Sequence, residues 1–318
     1  MDDEEGKKQD EIYERIKNSR FKQQNLPAWR PVPTLGSTIV IFVSIGIIFI
    51  TFGIILSFYS TKINEIKFRY DNQCESKEPP NEPCHLNFTI SKTMKKDIMV
   101  YYELDNFYQN HRRYVKSRNN DQLKGKKVSD KTLKDDCDPV VTNSEMGKTK
   151  NILQGTLNPD EIAVPCGLIA KSYFNDTFSL SYSNNTIIEI NQDNIAYKAD
   201  KEKHFKNSQD PSKQWVDMTD EHFIVWMRPA AFPNFRKLWG RINQDLKEGE
   251  VFTLNVENNY DVSGFNGKKY FILSEINKLG QNNILMGGCY IIVGGSSIIL
   301  ALIFSIGYNI KKNREKEE

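Results

Sequence analysis

Two stretches constrain this chain more than any other feature. No charged residue occurs between Arg30 and Lys62, or between Lys278 and Lys311, and the two gaps contain STIVIFVSIGIIFITFGIILSFYS and ILMGGCYIIVGGSSIILALIFSIGY. A helix that crosses a bilayer needs roughly 20 apolar residues to cover a hydrocarbon core of about 30 Å, and each stretch meets that length. The mean hydropathy of −0.56 is that of a soluble protein; the average conceals how unevenly the apolar residues are spread. The first stretch follows 36 hydrophilic residues and exceeds a cleavable signal's apolar region, so it reads as a retained anchor.

This gives five segments: a tail over 1–36, a membrane helix over 37–60, a loop over 61–283, a second membrane helix over 284–308, and a tail over 309–318. The loop is long enough to be a folded domain. Flanking charge orients it weakly. Eight cations (Lys17, Arg20, Lys22, Arg30, Lys311, Lys312, Arg314, Lys316) lie on the tail side and seven (Lys62, Lys67, Arg69, Lys77, Lys268, Lys269, Lys278) on the loop side. Long loops also obey the positive-inside rule poorly.

Cysteines and sequons give the stronger signal. Cys74, Cys84, Cys137 and Cys166 all lie in the loop, Cys289 lies inside the second span, and neither tail holds any. An even number in one compartment points to disulfides and an oxidising environment. Four cysteines allow three pairings. Proximity favours Cys74–Cys84 and Cys137–Cys166, with separations of 10 and 29 residues, for which the chain-entropy model gives about 2.7 and 3.6 kcal/mol. Asn87-Phe-Thr, Asn175-Asp-Thr and Asn184-Asn-Thr are acceptor sequons in the same loop. Together these features place the loop in the lumen or outside the cell, with both tails cytosolic.

Within the loop, β-branched and alternating segments predict antiparallel strands at 98–104, 186–190, the HFIVWMRP segment ending at Pro229, EVFTLNVEN, and KKYFILSEI after Gly264-Phe-Asn-Gly267. Phe235, Leu238, Trp239 and Ile242 recur at i, i+3, i+4, i+7 and predict a helix over NFRKLWGRIN; Leu104, Phe107, Tyr108 and His111 give a more polar version. The polar stretch 117–150 reads as an excursion tied down by Cys137. The expected fold is a membrane protein with two transmembrane α-helices and a large exoplasmic β-rich domain, an antiparallel sandwich with short helices and long loops.

Catalytic signatures do not emerge. Gly147-Lys148-Thr149 lacks the glycine a phosphate loop needs at position 142, which is Thr. Asp130-Lys131-Thr132 continues Leu-Lys instead of the Gly-Thr of an ATPase phosphorylation motif, and Asp135-Asp136 sits in polar sequence. No G-x-S-x-G, H-E-x-x-H or G-x-G-x-x-G occurs, and His85, His111, His204 and His222 lack ligand-like spacing. No catalytic residue, cofactor or metal is therefore expected. A net charge of +2 also argues against nucleic acid as a partner. The spans carry no ionisable residue that would mark an ion path. They do carry small residues at two-turn spacing: Gly287, Gly294 and Ala301 with Gly288 and Gly295 beside them, and Ser37, Ser44 and Thr51 beside Gly46 and Gly53. Such lines allow close helix packing in lipid, against each other or against a larger membrane protein.

Five segments together resemble the cell-division-control protein 50 / ligand-effect modulator 3 family, accessory β-subunits of type IV P-type ATPases. They are FKQQNLPAWRPVPT, YYELDNFYQNHRRYVKSRNNDQL, VPCGLIAKSYFNDTF, WMRPAAFPNFRKLWGRI and NYDVSGFNGKKYFILSEINKLG. The resemblance implies a non-catalytic subunit of a phospholipid flippase that pairs one-to-one with the ATPase among membrane lipids. It further implies support for the ATPase's folding, exit from the endoplasmic reticulum and transport cycle, in endoplasmic reticulum, Golgi or endosomal membranes and the plasma membrane. It also implies the pairs Cys74–Cys84 and Cys137–Cys166 and a glycan on Asn175. Arg236, Lys237 and Arg241, on the outer side of the expected helix, are candidates to meet acidic lumenal loops of the ATPase, and Trp29-Arg30-Pro31 to make the matching cytosolic contact. A trimeric ligand-gated channel subunit is the main alternative reading, and an ectoenzyme a weaker one.

Overall fold

A computed structural model describes residues 13–24, 34–74, 83–276 and 284–317, and divides the chain into two compact units. One contains the long apolar helices α1 (Leu35–Ser60) and α9 (Ile284–Glu317); the other runs from Phe58 to Ile284. Both helices are long and apolar enough to cross a membrane. α9 continues unbroken past position 308, beyond the expected end of its span.

The two helices pack antiparallel through glycine. A Cβ added at Gly294 would lie 2.9 Å from the Gly46 carbonyl oxygen, and one added at Gly53 would lie 2.8 Å from that of Gly287. Without hydrophobic driving force between helices in lipid, backbone approach of this kind is what holds a pair together. Phe42 meets Phe304 at 5.8 Å and Phe49 meets Tyr290 at 5.4 Å along the same flank of the seam. Ala301 is buried on the same line, whereas Ser37, Ser44 and Thr51 are exposed, so Gly46 and Gly53 supply the first helix's contact face.

The second unit is two four-stranded antiparallel sheets, ordered β1-β8-β3-β6 and β2-β7-β4-β5. The strands are β1 (Glu65–Arg69), β2 (Cys84–Thr89), β3 (Ile98–Asp105), β4 (Thr177–Tyr182), β5 (Ile187–Ile188), β6 (Phe235–Ile242), β7 (Val251–Glu257) and β8 (Lys268–Ser274). Between them lie short helices: α2 (Arg112–Lys116), α3 (Asn120–Leu123), α4 (Asp130–Cys137), α5 (Asn143–Met146), α6 (Leu168–Lys171), α7 (Lys198–Lys203) and α8 (Glu221–Trp226). Alternation places Phe252, Leu254 and Val256 of β7 and Phe271 and Leu273 of β8 in one core. Phe178 of β4 joins the sheets, 5.1 Å from Trp239 and 5.3 Å from Phe271 between ring centres.

Several local expectations change. Segment 235–242 is a strand, β6. Its pairing slips by one residue, with Val100 opposite Gly240 but Tyr101 opposite Leu238. Trp239 is the extra residue of a bulge. The bulge shifts the phase of alternation, so Phe235, Trp239 and Ile242 all reach the interior and imitate helical spacing. Conversely, HFIVWMRP contains the helix α8, opened by Asp220 accepting from the His222 backbone N–H. Phe223, Ile224, Trp226 and Met227 are buried, and the half-buried face opposite them holds Glu221, His222 and the apolar Val225; in so short a helix, Val225 hides the helical period. Residues 104–111 hold the end of β3 and a turn rather than a helix, the strand expected at 186–190 shrinks to Ile187–Ile188, and the 117–150 excursion contains α3, α4 and α5.

A buried charge pair closes the seam between the sheets. Asp176, fully buried at the start of β4, accepts from Lys269 Nζ (2.7 Å), Tyr70 Oη (2.7 Å) and the backbone N–H groups of Asn259 and Tyr260 (2.6 Å each). Lys269 also donates to Asn258 Oδ1 and the Tyr260 carbonyl. Burial pulls the Lys269 ammonium below the usual lysine range, while Asp176 works to keep it charged. Removing one member of such a pair strands the other charge, so Lys269→Met should lower stability by about 3–5 kcal/mol in urea denaturation. The Asp176→Asn/Lys269→Met double variant should recover part of that loss.

Candidate partner-binding surfaces

The three cations expected on one outward helical face are separated by β6. Arg236 points out of the sandwich, into ion pairs with Glu65 (2.8 Å) and Glu103 (3.7 Å), and Glu103 also pairs with Lys67. Burial works against the Arg236 charge, but its hydrogen bonds to Glu65 and the two carboxylates outweigh it and hold the guanidinium protonated. This strip crosses the outer face of the first sheet from β1 to β6. Flanked there by Lys67 and Tyr101, Ile272 is fully buried although it lies outside the core cluster. Arg241 is exposed, and among the described residues its guanidinium reaches only the Asn194 carbonyl, at 3.4 Å.

Lys237 departs furthest from expectation. It is 8% exposed and turns to the opposite side of β6 from Arg236, where its ammonium donates to the carbonyls of Val225 (3.0 Å), Trp226 (3.5 Å) and Arg228. It thus caps the C-terminal end of α8, where unpaired carbonyls favour a cation. No carboxylate among the described residues pairs with it. Burial, helped by nearby Arg228, pulls its pKa down to about 7. Trp29, Arg30 and Pro31 lie outside the described residues.

The outer face of the second sheet has a different chemistry. Thr253 Oγ1 donates to Asn87 Oδ1 (2.8 Å), Asn255 Nδ2 donates to Ser179 Oγ (3.3 Å), and His85 meets Asn255, so neighbouring strands are joined by uncharged polar groups. Asn87 lies on this face, Asn175 precedes β4, and Asn184 follows it; all three are exposed.

Cys74 is bridged to Cys84, and Cys137 at the end of α4 to Cys166. The second bridge sits in a tight backbone junction. Gly167, at φ +104°, passes so close to the Ser117 carbonyl that a Cβ would lie 2.1 Å from its oxygen. Ser117 Oγ donates to the Cys137 carbonyl (2.8 Å), and the Cys166 N–H donates to Gln122 Oε1 (2.9 Å). In the helical unit, Gly287 and Gly294 are occupied by α1, but Gly288 and Gly295 have nothing within 4 Å of an added Cβ. No group of three or more His, Cys, Asp or Glu among the described residues could hold a metal ion.

A model of the LEM3 (ligand-effect modulator 3) / CDC50 family matches residues 56–314, which take in the entire antiparallel domain and most of α9. The chain belongs to this family. It is 39% identical to ALA-interacting subunit 3 of Arabidopsis thaliana, with 94% of this chain and 88% of that protein aligned. Cell cycle control protein 50A of Bos taurus is 35% identical over 91% of this chain and 88% of its own length. Cell cycle control protein 50B of Homo sapiens is 29% identical, with 92% and 93% covered.

Lys237 yields a pH signature. A folded state that releases this proton near pH 7, while the unfolded chain holds it to about 10.4, binds fewer protons between those values, so its contribution makes stability rise with pH in that window. Lys237→Met should lower the melting temperature, because α8 loses its cap, and should remove that rise between pH 7 and pH 9 in thermal denaturation of the solubilised chain.

Proposed function

We propose that the chain is the non-catalytic accessory subunit of a phospholipid-translocating type IV P-type ATPase, bound one-to-one in a membrane complex. The observation that carries this reading is the family match across the antiparallel domain and α9. The names of the plant relatives, which describe interacting subunits, agree with it. The subunit's tasks are to stabilise the partner, to permit its exit from the endoplasmic reticulum and to support lipid transport. Two bridged cysteine pairs and three exposed sequons favour a lumenal or extracellular domain carrying glycans at Asn87, Asn175 and Asn184, with both tails cytosolic. Glycans there would crowd the mostly uncharged outer face of β2, β7 and β4 and leave the charged outer face of the first sheet open.

The unpartnered glycine line on α9 suits the membrane contact. Gly288 and Gly295 leave room for another helix to approach, while Gly287 and Gly294 already serve α1. Affinity purification of the tagged chain in mild detergent tests the assignment: a complex with a protein above 100 kDa is expected, and a homotrimer would refute it. Gly288→Leu with Gly295→Leu should reduce recovery of the ATPase severalfold, while a cysteine pair placed at Phe49 and Tyr290 still cross-links.

The Cys137–Cys166 bridge anchors the 117–168 region, and losing a native disulfide costs about 2–5 kcal/mol. Cys137→Ser or Cys166→Ser should therefore hold the complex in the endoplasmic reticulum, seen as N-glycans that remain sensitive to endoglycosidase H. Mature glycans on both variants would contradict this.

A further inference from the structure

Beside α7 and α8 the antiparallel domain holds a cavity of about 520 Å³, and a second of about 360 Å³ shares a wall of Asp200, Ile224, Arg228 and Pro229 with it. Six basic side chains line the two (Arg118, Lys124, Arg228, Arg236, Lys237 and Arg241) against one carboxylate, Asp200. A chain whose net charge is only +2 has concentrated cations here.

The basic groups differ in how far they are already committed. Arg236 is taken by Glu65 and Glu103. Lys237 spends its donors on carbonyls, no carboxylate among the described residues neutralises it, and because its proton leaves near pH 7 it adds only part of a positive charge behind the wall. Arg228 is held in place by its Nε bond to Asp200 (3.0 Å) and by the Tyr197 ring, 3.9 Å from the guanidinium carbon. No hydrogen bond among the described residues uses its two Nη groups. Among the described residues the Arg241 side chain makes a single 3.4 Å bond, to the Asn194 carbonyl. Two guanidinium groups with spare donors therefore line one concave site, in the range of about 300–1,000 Å³ that small ligands occupy.

We propose that this cavity binds a small phosphorylated ligand, with its phosphate held by Arg228 and Arg241. A guanidinium presents paired N–H donors that match phosphate oxygens, and the fixed plane of Arg228 reduces the ordering cost of forming those bonds. A phosphomonoester carries close to two negative charges, which suits several cations around one small volume better than a single carboxylate does. The phosphate could belong to a lipid headgroup or to a soluble ester; the recognition chemistry is the same. The site is independent of the ATPase assignment, because its test needs no partner.

The test measures thermal unfolding of the full chain in nanodiscs at constant ionic strength. In phosphatidylcholine discs, sn-glycerol 3-phosphate should raise the melting temperature saturably where glycerol and sodium chloride do not. Arg241→Gln should weaken the apparent affinity about tenfold, the loss expected for one charge-assisted contact. Adding Arg228→Gln should abolish the response. If Arg228→Gln fails to fold because Asp200 loses its partner, Arg241→Gln carries the test alone. A lipid source would show instead as stabilisation by discs containing phosphatidic acid, reduced by Arg241→Gln, with little response to the soluble ester. The proposal fails if neither probe stabilises the chain or if the variants respond like wild type. It also fails if a glutamate-rich peptide binds as tightly as the phosphate probe, which would make the groove an acidic-peptide site.

Discussion

The antiparallel domain depends on one buried carboxylate. Asp176 gathers Tyr70 from the end of β1, Lys269 from β8, and the Asn259 and Tyr260 amides that follow β7, so elements of both sheets meet at one residue. Burying the Asp176–Lys269 pair is tolerable because hydrogen bonds occupy both groups; an incomplete set would cost several kcal/mol. The network reaches the first disulfide as well, since Asn258, which accepts from Lys269, donates to the Cys74 carbonyl. Next to it, exposed Asn175 projects from the same short segment whose Asp176 is fully buried.

Charge is arranged around that core by sheet. The first sheet's outer face carries the Glu65–Arg236–Glu103–Lys67 strip, which is partly shielded and internally balanced, so it presents little unpaired charge. The second sheet's outer face is mostly uncharged, with Glu257 at its end accepting from Thr177; Asn87 lies on it, and Asn175 and Asn184 lie at either end of β4. The unbalanced cations collect in the cavities beside α7 and α8. A uniform basic face on β6, as an amphipathic helix would have produced, does not exist, because strand geometry sends Arg236 and Lys237 to opposite sides.

In the helical unit the division of labour falls between neighbouring glycines. Gly287 and Gly294 lie against α1, where added side chains would meet backbone oxygen, while Gly288 and Gly295, one residue on, face open space. Adjacent residues on a helix point about 100° apart. Two small lines can therefore serve two neighbours at once.

The amino-acid sequence alone determined what depends on composition and short period. The apolar spans, the alternating strands β3, β7 and β8, the clustering of cysteines and sequons in one loop, and the family resemblance all follow from local residue patterns. Tertiary structure decided what depends on a partner strand or a distant backbone group. Segment 235–242 has helical spacing, yet pairing with β3 makes it a strand, and the Trp239 bulge explains the spacing. Segment 221–226 alternates like a strand, yet it is a single helical turn and a half whose half-buried face ends in the apolar Val225, too short and too mixed to mark α8. Lys237 looked like a surface cation because nothing within its own segment shows the carbonyls of Val225, Trp226 and Arg228 waiting above it. Hydrophobic period records which side of an element is covered; it carries no information about which distant group does the covering.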